Sequence, residues 1–337
     1  LPPPLPVGVA TYDGEGVTIF DADGYTLARI PAPGLTENAP LHIAGAFSPD
    51  SPFLPPILYY APTQNASLLL VENGEATTLF SSPFLSSLAG ALKAPSIAYT
   101  LADYTQSPLV TSLYAGKIAS VYGSFPALRE ENDEGWTFIA LALRTRDGKP
   151  VGVWVTRAPY FEEVSTFFPY RRTLLYRDLE TRETTQYLSF DESPSALSLD
   201  GSAFAYTAAD GAMRFRNLKT QEETFIPLIL QEAGFASISP NLRALAWVER
   251  GENGVLLLRV TDVDGAPLAS FALEDLVPAS GLPELRWAAP KGWFDDERLV
   301  VMVYGATRGD AMLVKIDIVT KEISWLARGA FAEMVYP

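Results

Sequence analysis

The stretch Val17-Thr18-Ile19-Phe20-Asp21-Ala22-Asp23-Gly24-Tyr25-Thr26-Leu27-Ala28-Arg29-Ile30 alternates apolar and polar residues on either side of an Asp-Ala-Asp-Gly turn. Alternation with period two turns one face of a strand toward a core, while Asp and Gly supply the side-chain bonds and positive φ of a tight reversal. The stretch reads as a β-hairpin, and it recurs. Leu68-Leu69-Leu70-Val71 runs into Glu72-Asn73-Gly74, Leu174-Leu175-Tyr176-Arg177 into Asp178-Leu179-Glu180-Thr181, and Met213-Arg214-Phe215-Arg216 into Asn217-Leu218-Lys219-Thr220. Leu257-Leu258-Arg259-Val260 with Asp262-Val263-Asp264-Gly265, and Leu313-Val314-Lys315-Ile316 with Asp317-Ile318-Val319-Thr320, complete six copies.

A second hairpin precedes several of these. Ala196 to Tyr206, turning at Ser198-Leu199-Asp200-Gly201, aligns with Ser237 to Trp247, turning at Ser239-Pro240-Asn241. Two hairpins make a unit of four strands, and units recurring every ~40–50 residues have the period of propeller blades. The 337 residues therefore predict an all-β fold: a β-propeller of about seven four-stranded blades, with six or eight as alternatives. An open ring would leave two unpaired sheet edges. Phe331 to Tyr336 has strand character, whereas the N-terminal segment offers only three strands. The tail is expected to close the ring as the inner strand of the first blade.

The turn Ser198-Leu199-Asp200-Gly201, its relatives Ser48-Pro49-Asp50 and Ser239-Pro240-Asn241, and the small-aromatic strands after them resemble the repeats of TolB-like propellers. These WD40-like repeats are similar to those in the propeller domains of prolyl oligopeptidase-type enzymes. The resemblance covers residues 41–80 and 190–325 and implies an architecture, not a functional residue. The stretch from Ser86 to Glu134 departs from the pattern.

With 48% hydrophobic and 19% charged residues, the chain has the material for a packed core. It contains no cysteine, which excludes disulfides, thiolate metal sites and a cysteine nucleophile. A formal charge of −15, with Arg171-Arg172 as the only adjacent basic pair, makes nucleic acid and anionic membrane surfaces poor partners. No apolar run reaches the ~18 residues of a membrane span. Residues 1–6, Leu1-Pro2-Pro3-Pro4-Leu5-Pro6, favour extended polyproline II. They are expected to be the end of a spacer, with 7–337 forming one propeller domain. Such a spacer holds an extracytoplasmic domain, secreted or surface-anchored, away from an upstream membrane anchor. A cytoplasmic location is the alternative.

Motifs with chemistry are few. Asp21-Ala22-Asp23-Gly24 and Asp262-Val263-Asp264-Gly265 resemble fragments of calcium loops, but neither continues with the third acidic ligand and distant Glu such a loop needs. Turn chemistry explains both, and no metal or cofactor is expected. His42 is the only histidine and there is no Gly-x-Ser-x-Gly elbow. Glu130-Glu131, Glu162-Glu163 and Asp295-Asp296 are adjacent acids, but neighbours on a strand point to opposite faces. The most distinctive segment runs from Arg157 to Arg172, between two strands where a few residues would suffice. Its Tyr160, Phe161, Phe167, Phe168, Tyr170, Arg171 and Arg172 are residue types enriched at interface hot spots. They are the expected ligand or partner contact, on the face opposite the Asp-Gly turns; the competing reading has the rings capping the channel or extending the core. Asp133 to Trp136 and Trp293 to Asp296 are weaker candidates of the same kind. The expected function is non-catalytic, extracytoplasmic binding of a protein, peptide or glycan. The alternatives are a hydrolase or lyase with carboxylates at the channel mouth, and a structural subunit of a cell-surface assembly.

Overall fold

Alternating apolar runs joined by short turns pair with their neighbours in sequence, and the result is seven four-stranded antiparallel sheets. The computed structural model describes the chain apart from residues 1–2, 37–38, 52, 63–65, 92–93, 122–123, 160–171 and 190. Blade 1 holds β1 (Gly8–Tyr12), β2 (Gly16–Phe20) and β3 (Thr26–Pro31), and blade 2 holds β4 (Leu41–Ile43), β5 (Ile57–Ala61), β6 (Ser67–Glu72) and β7 (Glu75–Ser81). Blade 3 follows with β8 (Leu85–Ala91), β9 (Ala94–Asp103), β10 (Leu109–Lys117) and β11 (Leu128–Asn132), and blade 4 with β12 (Trp136–Arg146), β13 (Lys149–Pro159), β14 (Thr173–Asp178) and β15 (Thr184–Gln186). Blade 5 is β16 (Ser193–Leu197), β17 (Ala203–Thr207), β18 (Met213–Asn217) and β19 (Glu223–Ile226). Blade 6 is β20 (Glu232–Ile238), β21 (Ala244–Arg250), β22 (Leu256–Asp262) and β23 (Pro267–Ala272). Blade 7 is β24 (Trp287–Trp293), β25 (Arg298–Tyr304), β26 (Met312–Asp317) and β27 (Ile323–Arg328), after which β28 (Ala330–Val335) returns to blade 1.

The fold is thus a seven-bladed β-propeller closed by its C-terminal strand, as the repeat predicts. In blade 1 the order is β28-β1-β2-β3, so the tail takes the inner position that the first strand holds elsewhere. The tail also reaches across the seam: Phe47 N donates to the Tyr336 carbonyl at 2.9 Å, tying the end of the chain to blade 2.

All six quoted hairpins join the third and fourth strands of a blade. Three share one turn in detail. Asp178, Asn217 and Asp317 each accept backbone N–H bonds from residues two and three positions on. Arg182, Gln221 and Lys321 then take φ of 62°, 64° and 61°. Leu179, Leu218 and Ile318 donate their amides to the neighbouring first-to-second-strand turn at Val151, Ser202 and Glu297. Blade 3 supplies no seventh copy because residues 118–127 replace the turn between β10 and β11.

Burial falls from the inside of a blade outward. Second strands such as β5, β17 and β21 are buried on both faces, while fourth strands such as β7 and β15 are exposed. The core is split into seven apolar clusters, and each bridges two successive blades around the ring. One helix, α1 (Leu273–Ser280), lies between β23 and β24, with fully buried Leu276 reaching the core of blades 6 and 7.

One ion pair is part of this interior. Glu249 and Arg259, 0% and 7% exposed, meet at 2.8 Å. The carboxylate also accepts from the Trp247 indole and from the amides of Ile229 and Leu230, fixing the connection between blades 5 and 6. Removing one member of such a pair strands the other charge. Glu249→Ala is expected to cost ~3–5 kcal/mol in urea unfolding, against less than ~1 kcal/mol for the exposed pair partner Glu284→Ala.

Candidate functional site

The first strands of neighbouring blades pack side by side around the axis and form the channel wall. Six of the seven carry an extra residue relative to the second strand. The unmatched positions are Ser86, Leu141, Ser195, Phe235-Ala236 (two opposite Trp247), Lys291 and Ala332. A bulge bends its strand and re-aims a side chain, so the wall is irregular at every blade but the second. The hairpin turns lie at one end of the channel, the turn face. The longer connections, including α1, lie at the other, the loop face.

At the turn face the channel opens into a cavity of about 570 Å³. Its apolar lining includes Leu88, Leu141, Leu143, Leu197 and Leu199, drawn from blades 3, 4 and 5. His42, Arg144, Asp200 and Glu333 are the charged or titratable groups in it, and Pro4 lies along its edge. Leu141, on its bulge, is 40% exposed.

His42 sits on the short inner strand of blade 2, 3% exposed, with Nδ1 3.0 Å from Glu333 Oε1 on the closing strand. Glu333 Oε2 accepts the Ile43 amide at 2.7 Å. One carboxylate therefore clamps two successive residues of blade 2 to blade 1. The imidazole lies against Gly90 of β8, where a Cβ would fall 1.7 Å from Nε2, so only glycine leaves it room. Burial by itself lowers the His42 pKa, but the charge and hydrogen bond of Glu333, with the backbone of Ala91, outweigh it and raise the pKa above the usual value. Tyr336 beside this clamp is pushed well up by burial and by Glu333.

The other polar groups differ in how far they are engaged. Burial disfavours the Asp200 carboxylate, yet hydrogen bonds from Lys219 (2.8 Å), Ser202 and Ser198 hold it far below the carboxylate range. Arg144 is exposed, its guanidinium 5.7 Å from the centre of the Tyr176 ring.

Among the described residues, the adjacent acids of the sequence do not converge. Glu130 and Glu131 are on the outer strand of blade 3, Glu130 paired with Arg157 at 3.0 Å and Glu131 with Arg129 at 2.8 Å. Asp295 binds Arg298 at 2.7 Å, and Asp296 accepts from the backbone and side chain of Asn241, tying the turns of blades 6 and 7. The carboxyl groups of Asp103, Asp178, Asp210, Asp295 and Asp317 are, like Asp200, shifted downward. Asp21 and Asp262 each accept two amides of their own turn, and no cluster of metal-binding side chains occurs among the described residues.

Of the aromatic segment, Tyr160, Phe161, Phe167, Phe168, Tyr170 and Arg171, with Glu162 and Glu163, lie outside the described residues. Arg172 is half-buried just before β14. Trp293 and Phe294 are each 2% exposed and belong to the interior, and the Trp136 indole donates to Glu134 at 2.5 Å. The cavity residues themselves were not legible in sequence. Leu141, Arg144 and Leu197 come from separate blades, and their only signal was membership of inner strands.

No protein-family model matches the chain, and no curated protein does. Among solved structures, one from a study of two prolyl endopeptidases is 12% identical, with a TM-score of 0.62 over 94% of this chain. The chain spans 47% of that protein. TolB from Acinetobacter baumannii is 13% identical with a TM-score of 0.47, over 97% of this chain and 82% of that one. A putative TolB from Agrobacterium tumefaciens is 11% identical with a TM-score of 0.44, over 74% and 84% of the two chains. The prolyl endopeptidase match confirms the propeller; the likeness expected from the repeats holds at the level of fold.

The raised pKa of His42 means that its pairing adds stability in full below the unfolded value near ~6.5, and that this contribution is lost as pH rises through the folded pKa. Urea midpoints of the wild type should fall over that window, and His42→Gln should flatten the profile. Gly90→Ala should cost ~1–3 kcal/mol by overpacking and abolish the same pH dependence by displacing the imidazole.

Proposed function

We propose that this propeller is a binding module, and that a protein or peptide segment lodges in the turn-face mouth of its channel. The observation that carries the reading is the cavity itself. A volume of about 570 Å³, walled by leucines together with His42, Arg144, Thr145, Ser198, Asp200 and Glu333, is of the size of a ligand site and combines apolar walls with convergent polar groups. The leucine wall suits an aliphatic or aromatic side chain better than a glycan, which would call for aromatic platforms. Exposed Arg144 supplies a guanidinium for a carboxylate next to that side chain, whereas Asp200 and Glu333 are already engaged. The acids at the mouth thus support binding rather than hydrolysis or lysis. An extracytoplasmic location belongs to the same proposal, in keeping with the proline-rich stretch; no helix among the described residues is long and apolar enough to cross a membrane. The aromatic segment Tyr160 to Arg172 is retained as a second contact, on the loop face.

The test is an array of short peptides pairing an aliphatic or aromatic residue with Asp or Glu, beside an array of glycans. Leu141→Asp and Arg144→Glu should each weaken peptide binding by about tenfold or more, the loss of one hot-spot contact. Phe167→Ala combined with Tyr170→Ala should leave it unchanged. The opposite pattern moves the contact to the loop face, and self-association without array binding favours the structural-subunit reading.

A further inference from the structure

Lys291 is the unmatched residue of the β24 bulge, between the pairs Pro290–Val301 and Gly292–Val300. The bulge turns a lysine inward where a regular strand would alternate. Its ammonium lies 5.7 Å from the centre of the Trp287 ring, and no hydrogen bond or ion pair joins it to any described residue. The Trp287 indole N–H is also buried and without an acceptor among the described residues. A half-buried ammonium and a buried indole N–H therefore stand on one inner strand without an acceptor among the described residues, although the chain carries a formal charge of −15. A charge drawn partly out of water gains from a partner, and a ligand group of opposite sign can supply one.

The surroundings fit one kind of ligand. Lys291 lines a cavity of about 120 Å³ between the inner strands of blades 7, 1 and 2, and the other titratable groups in its wall are Tyr12 and Tyr304. Among the described residues no carboxylate lines it; Glu37, between Thr36 and Ala39, lies outside them. Tyr12, Thr36 and Ala330 also line a cleft of about 650 Å³ on the loop face, which gives the cavity an entrance. In that cleft Asp13 and Glu15 are both held by Arg29, while Arg328 has no ion pair among the described residues. A cation at the entrance and another at the inner end attract a negative group, and the single inner charge matches a monoanion.

We propose that Lys291 is the receptor for a carboxylate carried by a ligand that enters from the loop face, with its apolar remainder against Leu35, Leu41 and Phe331. The site is distinct from the turn-face mouth, with Leu41 in the wall of both, and it stands or falls independently of peptide binding there. Burial lowers the Lys291 pKa to about 8, so the group is still mainly an ammonium at neutral pH, and a bound carboxylate would raise that value.

The test is lysine ε-carbon NMR on the intact chain, whose seven lysines give seven signals, with Lys291→Met assigning the one of interest. Millimolar propionate should shift the Lys291 signal saturably and raise its titration midpoint by about one unit, leaving the others unmoved. Lys291→Met should lose the saturable binding while melting at the same temperature or a few degrees higher, since it removes a half-buried charge with no ion pair among the described residues. Lys291→Gln provides a second variant with the same expectation. No saturable shift with propionate overturns the proposal. So does tighter binding of inorganic phosphate, or a fall in melting temperature for both variants, which would mark the lysine as structural.

Discussion

Everything in this propeller depends on the contact of one blade's face with the next. Each of the seven apolar clusters belongs to two blades, and the second strands are buried on both sides. A four-stranded blade alone would expose both faces to water, so no unit can be stable without its neighbours and the ring must be completed. The interior is correspondingly dry of charge. Where an ion pair does occur inside, at Glu249 and Arg259, every hydrogen-bonding position of the carboxylate is used.

The seam is where that constraint is met with specific chemistry. Closure by β28 gives blade 1 its inner strand through backbone pairing, which any strand sequence could provide. What fixes the closed ring to blade 2 is Glu333, which holds His42 and the Ile43 amide together. Gly90 makes the arrangement possible by leaving a gap the width of an imidazole. A lone histidine that could have suggested catalysis is thereby explained as part of the closure, and its ionisation is tied to the integrity of the ring.

The same inner strands that close the ring also determine what the channel offers. Bulges interrupt the alternation of six of them, and two of the residues they release are Leu141 and Lys291. The first stands in the leucine-lined cavity at the turn face, the second in the smaller cavity between the inner strands of blades 7, 1 and 2. The likeness to a prolyl endopeptidase structure at 12% identity concerns the scaffold. The chemistry at the two ends is this chain's own: leucine-rich walls and cations, Arg144 and Lys291, that form no ion pair among the described residues.

The fold was legible because it is written locally and repeatedly. The Asx turns at Asp178, Asn217 and Asp317 and the alternation around them need only a few adjacent residues, so six hairpins could be recognised and the blade period counted. Blade 3 was illegible because residues 118–127 replace its turn, and the aromatic segment was conspicuous by composition alone, with nothing in sequence to say where its rings point. The sites needed the tertiary structure. His42 and Glu333 are 291 positions apart, and Lys291, Tyr12 and Thr36 meet only when β28 completes blade 1. Nor does sequence register a bulge, since one extra residue is visible only against the strand it fails to match. Local hydrogen bonding and periodicity specified the blades; the closing of the ring, a long-range packing requirement, decided which side chains would face one another.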